Sequence, residues 1–131
     1  MTIVNHDQVP DTPWRPGQRR KVIAGRNQGL KELSLFWTEV EPGTGAPLHY
    51  HEVEEILIIL EGEVEARLDQ ERQHVPSNHS IVVPARTPHA FTVVGEETAS
   101  IMAVFSHPEP FLEGRTTYLE GTPPAEYSPA S

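Results

Sequence analysis

Apolar residues between Lys21 and Phe105 fall into short segments, which Gly, Pro and Asn separate at intervals of roughly ten residues. This spacing is typical of an antiparallel β-sandwich or β-barrel. The pattern predicts strands at Arg20–Ala24, Leu33–Val40, Ile56–Leu60, Glu63–Leu68, Ser80–Val83, His89–Val94 and Ser100–Phe105.

Two of these segments form a predicted hairpin around Glu61-Gly62. In the second strand, Val64, Ala66 and Leu68 share one face, and charged residues share the other. The first strand, Ile56–Leu60, is apolar on both faces. We therefore expect it to be buried on both faces, either inside a closed barrel or against a partner subunit.

The two ends of the chain differ from this central part. Residues 1–17 carry Pro10, Pro13 and Pro16 around Trp14, which indicates an extended arm that packs on another part of the protein. Residues 106–131 contain five further prolines and are expected to wrap around the fold with at most one short helix. A chain of 131 residues has room for one domain. We expect a core at about 20–105, an N-terminal arm at 1–19 and a C-terminal tail at 106–131.

The composition excludes several classes of site. The chain has no Cys and seven His, so disulfides, thiolate zinc sites, iron–sulfur clusters and cysteine nucleophiles are excluded. Any metal ligands must be imidazoles and carboxylates. The net charge of -9 and the lack of a long basic run argue against nucleic acid as a partner. The short cluster Arg19-Arg20-Lys21 is interpreted as a solvated start of a strand rather than an anion site.

The sequence has neither the features of a signal peptide nor an apolar run of about 20 residues that spans a bilayer. We therefore expect a cytoplasmic protein that does not bind membranes. The acidic residues between Glu52 and Glu71 are interpreted as a solvated face of the hairpin rather than a second cation site.

The segment from Gly43 to Glu55 carries the candidate chemistry. His49 and His51 are two residues apart, so in a strand they project from the same face. Glu55 has the same parity if the strand continues, whereas Glu54 faces the other way. His89, at the start of a predicted strand, is the candidate fourth ligand. The remaining histidines are expected at the surface: His6, His74, His79 and His107.

These residues resemble the cupin superfamily. The first motif is complete, with Gly43, His49, His51, Glu55 and Gly62 at the family's spacing. In the second motif Pro84 and His89 are in register, but other residues stand at the two glycines and at the asparagine. These are Asn78, Arg86 and Val93. Asn tolerates the positive φ of a glycine, so the first replacement is mild.

The resemblance implies an all-β, cupin-type antiparallel β-barrel, which is a double-stranded β-helix similar to a jelly roll. It implies one divalent transition metal, Fe, Mn, Ni, Zn or Cu, held by His49, His51, Glu55 and His89. Coordination positions left open would bind a small organic substrate, as in a dioxygenase-like enzyme. Isomerase, cyclase and lyase activities, a non-catalytic binding or sensing role and a metal-free pocket remain alternatives.

Three further residues are predicted to line the substrate pocket. Phe91 shares the parity of His89, Trp37 lies within a predicted strand, and Arg86 is a candidate cation for a substrate carboxylate. The apolar strand and the arm together predict a homodimer.

Overall fold

The structure is a computed structural model that describes residues 1–124, and its regular secondary structure consists almost entirely of β-strands. The strands are β1 (Thr12–Pro13), β2 (Gln18–Ala24), β3 (Ser34–Val40), β4 (Gly45–His51), β5 (Glu55–Glu61), β6 (Glu63–Leu68), β7 (Glu71–Val75), β8 (His79–Val83), β9 (His89–Val94), β10 (Ala99–Phe105) and β11 (Thr116–Tyr118). Two short 3-10 turns, His6–Gln8 and Arg26–Gln28, complete the regular structure of the described residues.

The strands form two sheets, and every strand pair is antiparallel. One sheet has six strands in the order β1-β2-β3-β10-β5-β8, and the other has five in the order β11-β4-β9-β6-β7. The predicted all-β, antiparallel class is confirmed. Residues 1–124 contain no helix that is long and apolar enough to cross a membrane.

A hydrophobic core lies between the two sheets. Alternate residues of β10 are buried, because successive side chains of a strand point to opposite faces. The same alternation buries Leu57 and Ile59 from β5, and these residues join Val64, Ala66 and Val93 from the opposing sheet in one cluster. The inner faces of the two sheets therefore pack against each other.

The outer face of β5 is exposed in the single chain. Ile56 and Leu60 retain 40% and 47% of their accessible surface, whereas Leu57 and Ile59 are buried. Val82, which pairs with Ile56, is 67% exposed. Burial of this strand on both faces therefore does not occur within the chain.

Four strands lie outside the predicted set, namely β1, β4, β7 and β11. β4 was expected only as a strand around His49 and His51 without stated bounds, and the other three are short. β7 is polar and exposed at four of its five residues, so it carries no hydrophobic pattern. β1 and β11 belong to the arm and the tail, where proline obscures strand patterns. β11 pairs with β4, so the tail forms an edge of the five-stranded sheet beside the histidine motif.

Candidate metal centre

His49, His51 and His89 come together because β4 and β9 are neighbours in the five-stranded sheet. His49 lies opposite His89 in the register, and His51 projects from the same face two residues later. The three ring centroids are 4.2 to 5.2 Å apart. One ligand atom from each ring lies within 4.8 Å of the others, and all three residues are buried. The predicted association of these histidines is therefore present in the structure.

Glu55 reaches the same point from the opposite sheet. The expectation that Glu55 continues the strand of His51 is wrong, because β4 ends at His51 and β5 begins at Glu55. The connection between them is held by the tail, with the Glu52 N–H donating to the Arg115 carbonyl (2.7 Å) and the Glu54 N–H to Ser106 Oγ (2.9 Å). The carboxylate and the imidazoles thus face one another across the sandwich.

Each imidazole is oriented by a hydrogen bond at Nδ1. Nδ1 of His49 lies 2.7 Å from the Pro47 carbonyl, and Nδ1 of His89 lies 2.9 Å from the Thr87 carbonyl. Because a carbonyl oxygen only accepts hydrogen bonds, both nitrogens carry the proton. In the neutral rings, Nε2 then holds the lone pair that a metal requires.

The anchor of His51 comes from the tail. Nδ1 of His51 lies 2.7 Å from Thr116 Oγ1, and that hydroxyl donates to the Pro110 carbonyl at 2.8 Å. Since the hydroxyl proton is engaged with Pro110, Thr116 accepts the proton of His51 Nδ1. All three histidines therefore have the same arrangement, with Nδ1 as donor.

The Nε2 atoms of two rings face Glu55. Glu55 Oε1 lies 2.9 Å from His89 Nε2 and 3.4 Å from His51 Nε2. His51 Nε2 is buried and has no hydrogen-bond partner among the described residues. A lone pair and a carboxylate oxygen repel at such distances unless a proton or a cation lies between them. Adjacent ligands of a first-row metal are separated by about 3 Å, so these distances fit a bound cation.

The charges of the cluster follow from burial and mutual contact. Burial, together with the nearby His89 and His51, lowers the pKa of His49 to about 3, so this ring is neutral near pH 7. Burial alone would raise the pKa of Glu55, but the close contacts of its carboxylate with His51 and His89 outweigh it and hold that pKa well below its usual range. Burial also opposes the charge of His89, yet the bond to Glu55 raises the pKa of that ring.

The cluster opens into a cavity of about 60 Å³ that several aromatic side chains line. Tyr118 stacks on His49 with ring centroids 5.4 Å apart, and Phe111 meets His51 edge-on at 5.5 Å. Phe91 also lines the cavity, as predicted, and so does Phe36. The imidazoles are therefore open on one side to a small, mostly apolar space.

Trp37 and Arg86 lie elsewhere, which corrects their predicted place in the pocket. Phe36 and Thr38 of β3 face the cavity, so alternation turns Trp37 outward, where its indole N–H donates to Ser100 Oγ at 2.8 Å. The Arg86 side chain is 75% exposed, and its Nε pairs with Glu52 Oε2 at 2.8 Å.

The backbone at Arg86 explains why a glycine stands there in the family motif. Arg86 has a φ of 61°, in the left-handed region, and its N–H donates to the carbonyl of His51 at 2.7 Å. Asn78 has a φ of 64°, so it adopts the positive φ expected where the family motif has a glycine. Both glycine positions of the second motif therefore have a left-handed backbone in this chain.

Sequence reasoning missed several residues of this site, namely Trp14, Arg15, Arg20, Phe111, Thr116 and Tyr118. Arg20 is 2% exposed, so the interpretation of the basic cluster as solvated holds for Arg19 and is wrong for Arg20. The alternation of β2 places Gln18 and Arg20 on one face. This was the sequence pattern from which the inward direction of Arg20 could have been predicted. The tail residues carried no comparable pattern.

The fold and the cluster define an all-β protein with a candidate metal site between two antiparallel sheets. The family model described as the cupin domain matches residues 36–105. This match covers more than half of the chain, which therefore belongs to the cupin family.

Several known proteins are similar to this chain. Auxin-binding protein 1 of Arabidopsis thaliana is 26% identical over 112 residues, which is 78% of this chain and 57% of that protein. The chain thus spans little more than half the length of that relative. The polyketide cyclase RemF of Streptomyces resistomycificus has a TM-score of 0.75 at 23% identity, over 93% of this chain and 87% of its own.

A larger protein shares the same fold. Oxalate decarboxylase of Bacillus subtilis, a protein with Mn(II) centres, has a TM-score of 0.74 at 19% identity, over 91% of this chain and 33% of its own. At these identities the two solved structures show a shared fold alone.

Proposed function

We propose that this protein is a metal-dependent enzyme of the dioxygenase type that acts on a small organic substrate bound beside His49, His51, His89 and Glu55. The observation that carries the proposal is the common orientation of the three imidazoles. Each ring is fixed through Nδ1, and two Nε2 atoms lie within 3.4 Å of one buried carboxylate oxygen.

The donor set fits a divalent first-row transition metal. Three imidazoles and one carboxylate suit Fe, Mn, Ni, Zn or Cu, and none of these residues is a thiolate that would select a softer ion. The buried Nε2 of His51, which lacks a hydrogen-bond partner among the described residues, supports the same conclusion. When bound, such a metal supplies Lewis acidity and, if it is redox active, the capacity to use dioxygen.

The protein's own residues would balance the charge of the site, shield it from bulk water and position a substrate. Glu55 stays ionised and balances positive charge in the cluster, because its pKa is held below the usual range. Tyr118 and Phe111 fix the faces of His49 and His51 and keep bulk water away from them. The apolar wall that contains Phe91 would position the organic part of a substrate.

Metal analysis and oxygen uptake test the proposal. Protein from media supplemented with each of the five metals would be assayed for metal content, with His51→Ala as the metal-free control. The iron-loaded protein would then be screened against small phenols and small organic acids in air and under anaerobic conditions. Oxygen-dependent product formation supports the dioxygenase type, whereas turnover without oxygen leaves an isomerase, cyclase or lyase.

A non-catalytic binding protein is the second candidate function. It is favoured by the curated relative whose name describes the binding of auxin rather than a reaction. The discriminating observation is the fate of a ligand that binds tightly to the metal-loaded protein. Recovery of that ligand unchanged after prolonged incubation in air favours binding without catalysis.

The architecture of the whole chain is part of the proposal. We propose a single cupin domain in which the core at about 20–105 closes as a double-stranded β-helix barrel, within a cytoplasmic homodimer. The arm already pairs with β2 of its own chain, and the rings of Trp14 and Phe111 pack with their centroids 5.0 Å apart. The arm therefore packs within one chain, and the dimer does not require an exchange of arms. The exposed outer face with Ile56, Leu60 and Val82 supports a contact with a second copy. A monomer at micromolar concentration in sedimentation velocity would contradict the dimer.

A further inference from the structure

Arg15, in the N-terminal arm, lines the cavity beside the histidine cluster. Its Nη2 is buried and makes no hydrogen bond to any part of the chain that the structure describes. A guanidinium has donors and no acceptor, and a buried charged donor is destabilising unless an acceptor reaches it. This atom therefore indicates where an oxygen atom of a ligand would bind.

Tyr118 brings a second polar group to the same place. Its ring stacks on His49, with the centroids 5.4 Å apart and 25° between the planes, and Cζ of Arg15 lies 5.3 Å from the Tyr118 centroid. Burial raises the pKa of Tyr118, the nearby Arg15 opposes that rise, and Glu55 adds to it. The hydroxyl is therefore close both to the guanidinium of Arg15 and to the candidate metal centre.

The guanidinium of Arg20 has a different role. Its Cζ lies 3.9 Å from the ring centroid of Trp14 and 4.7 Å from that of Phe36, and the side chain is engaged by further contacts as well. Arg20 therefore serves the packing of the arm against β3. The donors assigned to a ligand are Arg15 Nη2 and the Tyr118 hydroxyl.

The rest of the cavity wall is mostly apolar, and its side chains include Phe36, Leu57, Phe91, Ile101 and Ala103. The cavity volume is about 60 Å³. Since one water needs about 10–15 Å³ on this measure, the cavity has room for about five waters, which is close to the volume of one benzene ring. It therefore matches a single six-membered ring rather than a fused pair.

The two donors match a single oxygen atom. Among the nitrogens of Arg15, Nη2 is the one that is buried without a hydrogen-bond partner in the described residues. A carboxylate is bound best by two parallel N–H groups of one guanidinium, and a phosphate would bring several charged oxygens against an apolar wall. A phenol joins one acidic oxygen to one aromatic ring, so it fits both the donors and the wall.

We propose that Arg15 and Tyr118 bind the ionised oxygen of a monocyclic phenol, whose ring lies against Phe91 beside His49. The inference rests on the proposed function, since it names the substrate class of the same site. Arg15 supplies a positive charge and the Tyr118 hydroxyl donates a hydrogen bond, and both stabilise the phenolate over the neutral phenol. The pocket cation predicted at Arg86 is thus Arg15.

The test uses 2,6-difluorophenol, which ionises near neutral pH, and its uncharged analogues 2,6-difluoroaniline and 1,3-difluorobenzene. They are titrated into the zinc-loaded protein, because zinc is not redox active and leaves the ligand unchanged. Fluorine NMR reports both affinity and the ionised fraction of the bound phenol. We expect the phenol to bind at least about tenfold more tightly than either analogue, because hydrogen bonds to a charged group are the stronger ones. The pKa of the bound phenol should fall by at least about one unit, which is a tenfold preference for the phenolate.

Variants locate the binding site. Arg15→Met is expected to weaken binding of the phenol at least about tenfold and to raise the pKa of the bound phenol, while 1,3-difluorobenzene binds as before. Tyr118→Phe keeps the ring on His49 and should weaken the phenol at least about fivefold. It decides the question if Arg15→Met does not fold by circular dichroism.

Each variant has a matched control that should bind the phenol as the natural protein does. Arg19→Met removes an arginine of the same region whose ion pairs are exposed. Tyr50→Phe removes a tyrosine hydroxyl of β4, where strand alternation turns Tyr50 away from the face of His49.

The outcomes separate this inference from the proposed function. Equal or no binding of the three ring compounds, tighter binding of 2,6-difluorobenzoate or of inorganic phosphate, or unchanged affinity in both Arg15→Met and Tyr118→Phe would overturn it. Arg15-dependent binding of the phenol to protein that takes up no metal would overturn the metal proposal and retain the phenolate site. Normal metal content in Arg15→Met, together with weaker phenol binding, supports both.

Discussion

Thr116 is the residue through which the tail acts on the candidate metal site. His49 and His89 are anchored by carbonyls two residues earlier in the chain, whereas His51 depends on a hydroxyl 65 residues away. The Thr116 hydroxyl is itself oriented by the Pro110 carbonyl. The orientation of His51 therefore depends on how the tail packs.

Thr116→Val is expected to weaken metal binding by about 10- to 100-fold, because it leaves His51 Nδ1 without its acceptor while the three rings remain. Competition with a chelating dye measures the change. Thr117→Val is the matched control, since Thr117 is the next residue of β11 and pairs with Tyr50 rather than touching His51. Equal affinities in the two variants would show that the Thr116 hydrogen bond does not orient the ligand.

His89 gives metal binding a pH dependence. In the absence of metal its pKa is raised by Glu55, so the ring is protonated at pH 6 and must lose that proton to bind a metal through Nε2. Apparent affinity should therefore rise with pH by up to about tenfold per unit until the raised pKa is passed. His49, with a pKa of about 3, adds nothing to this dependence above pH 5.

Calorimetry with cobalt at pH 6, in two buffers of different ionisation enthalpy, measures the protons released. His74→Gln is the control, because His74 pairs with Glu63 at an exposed position of β7. We expect the same proton release from this variant as from the natural protein. Binding without proton release would contradict the assigned ionisation of His89.

Gly43 and Gly62 are the first and last residues of the first motif, and each precedes a strand. Their surroundings differ. Both have a positive φ, of 81° and 80°. A Cβ at Gly43 would meet nothing within 4 Å, whereas a Cβ at Gly62 would come within 2.8 Å of the Ala99 Cα at the start of β10. The turn between β5 and β6 therefore needs glycine for space as well as for conformation.

Gly43→Ala should lower the free energy of unfolding by about 1 to 2 kcal/mol, which is the cost of a side chain at positive φ. Gly62→Ala should lower it by at least about 1 kcal/mol more, because the added methyl group also displaces backbone. Urea denaturation compares the two variants directly. A Gly62→Ala protein as stable as Gly43→Ala would show that β10 moves away without cost.

The strands predictable from the sequence are those with a clear alternation of apolar residues. β6, with Val64 and Ala66 inward, has the predicted bounds, and β9 has the predicted start at His89 and end at Val94. β7 could not be predicted because it is polar and exposed along most of its length. β11 is short and held by pairing with β4, which local sequence does not encode.

The candidate site was predictable to a similar degree. The spacing of His49 and His51 on one face follows from strand geometry alone. Glu55 was identified through its parity and the family motif. In the structure it reaches the histidines from a second strand, β5, which belongs to the other sheet. The partners of the site in the arm and tail depend on long-range packing and left no periodic pattern.

Removal of the metal tests whether the whole molecule depends on the site. The core between the sheets is apolar and includes residues that do not line the cavity at the histidines, such as Val40 and Ile81. We expect a chelator to leave the far-ultraviolet circular dichroism unchanged and to lower the melting temperature, because the native state alone binds the metal. His51→Ala should melt at the same temperature with and without chelator. Unfolding on chelation would make the metal a structural one.

The cupin-domain match, residues 36–105, contains all four proposed donors, but Arg15, Arg20, Thr116 and Tyr118 lie outside it. The proposed donors thus come from the part of the chain that the family model matches, whereas groups that orient and cover them come from the two ends. A comparison restricted to residues 36–105 would therefore find the same donor set in proteins whose cavities differ. For this protein, what the cavity accepts depends on residues 1–24 and 106–124 as well as on the matched domain.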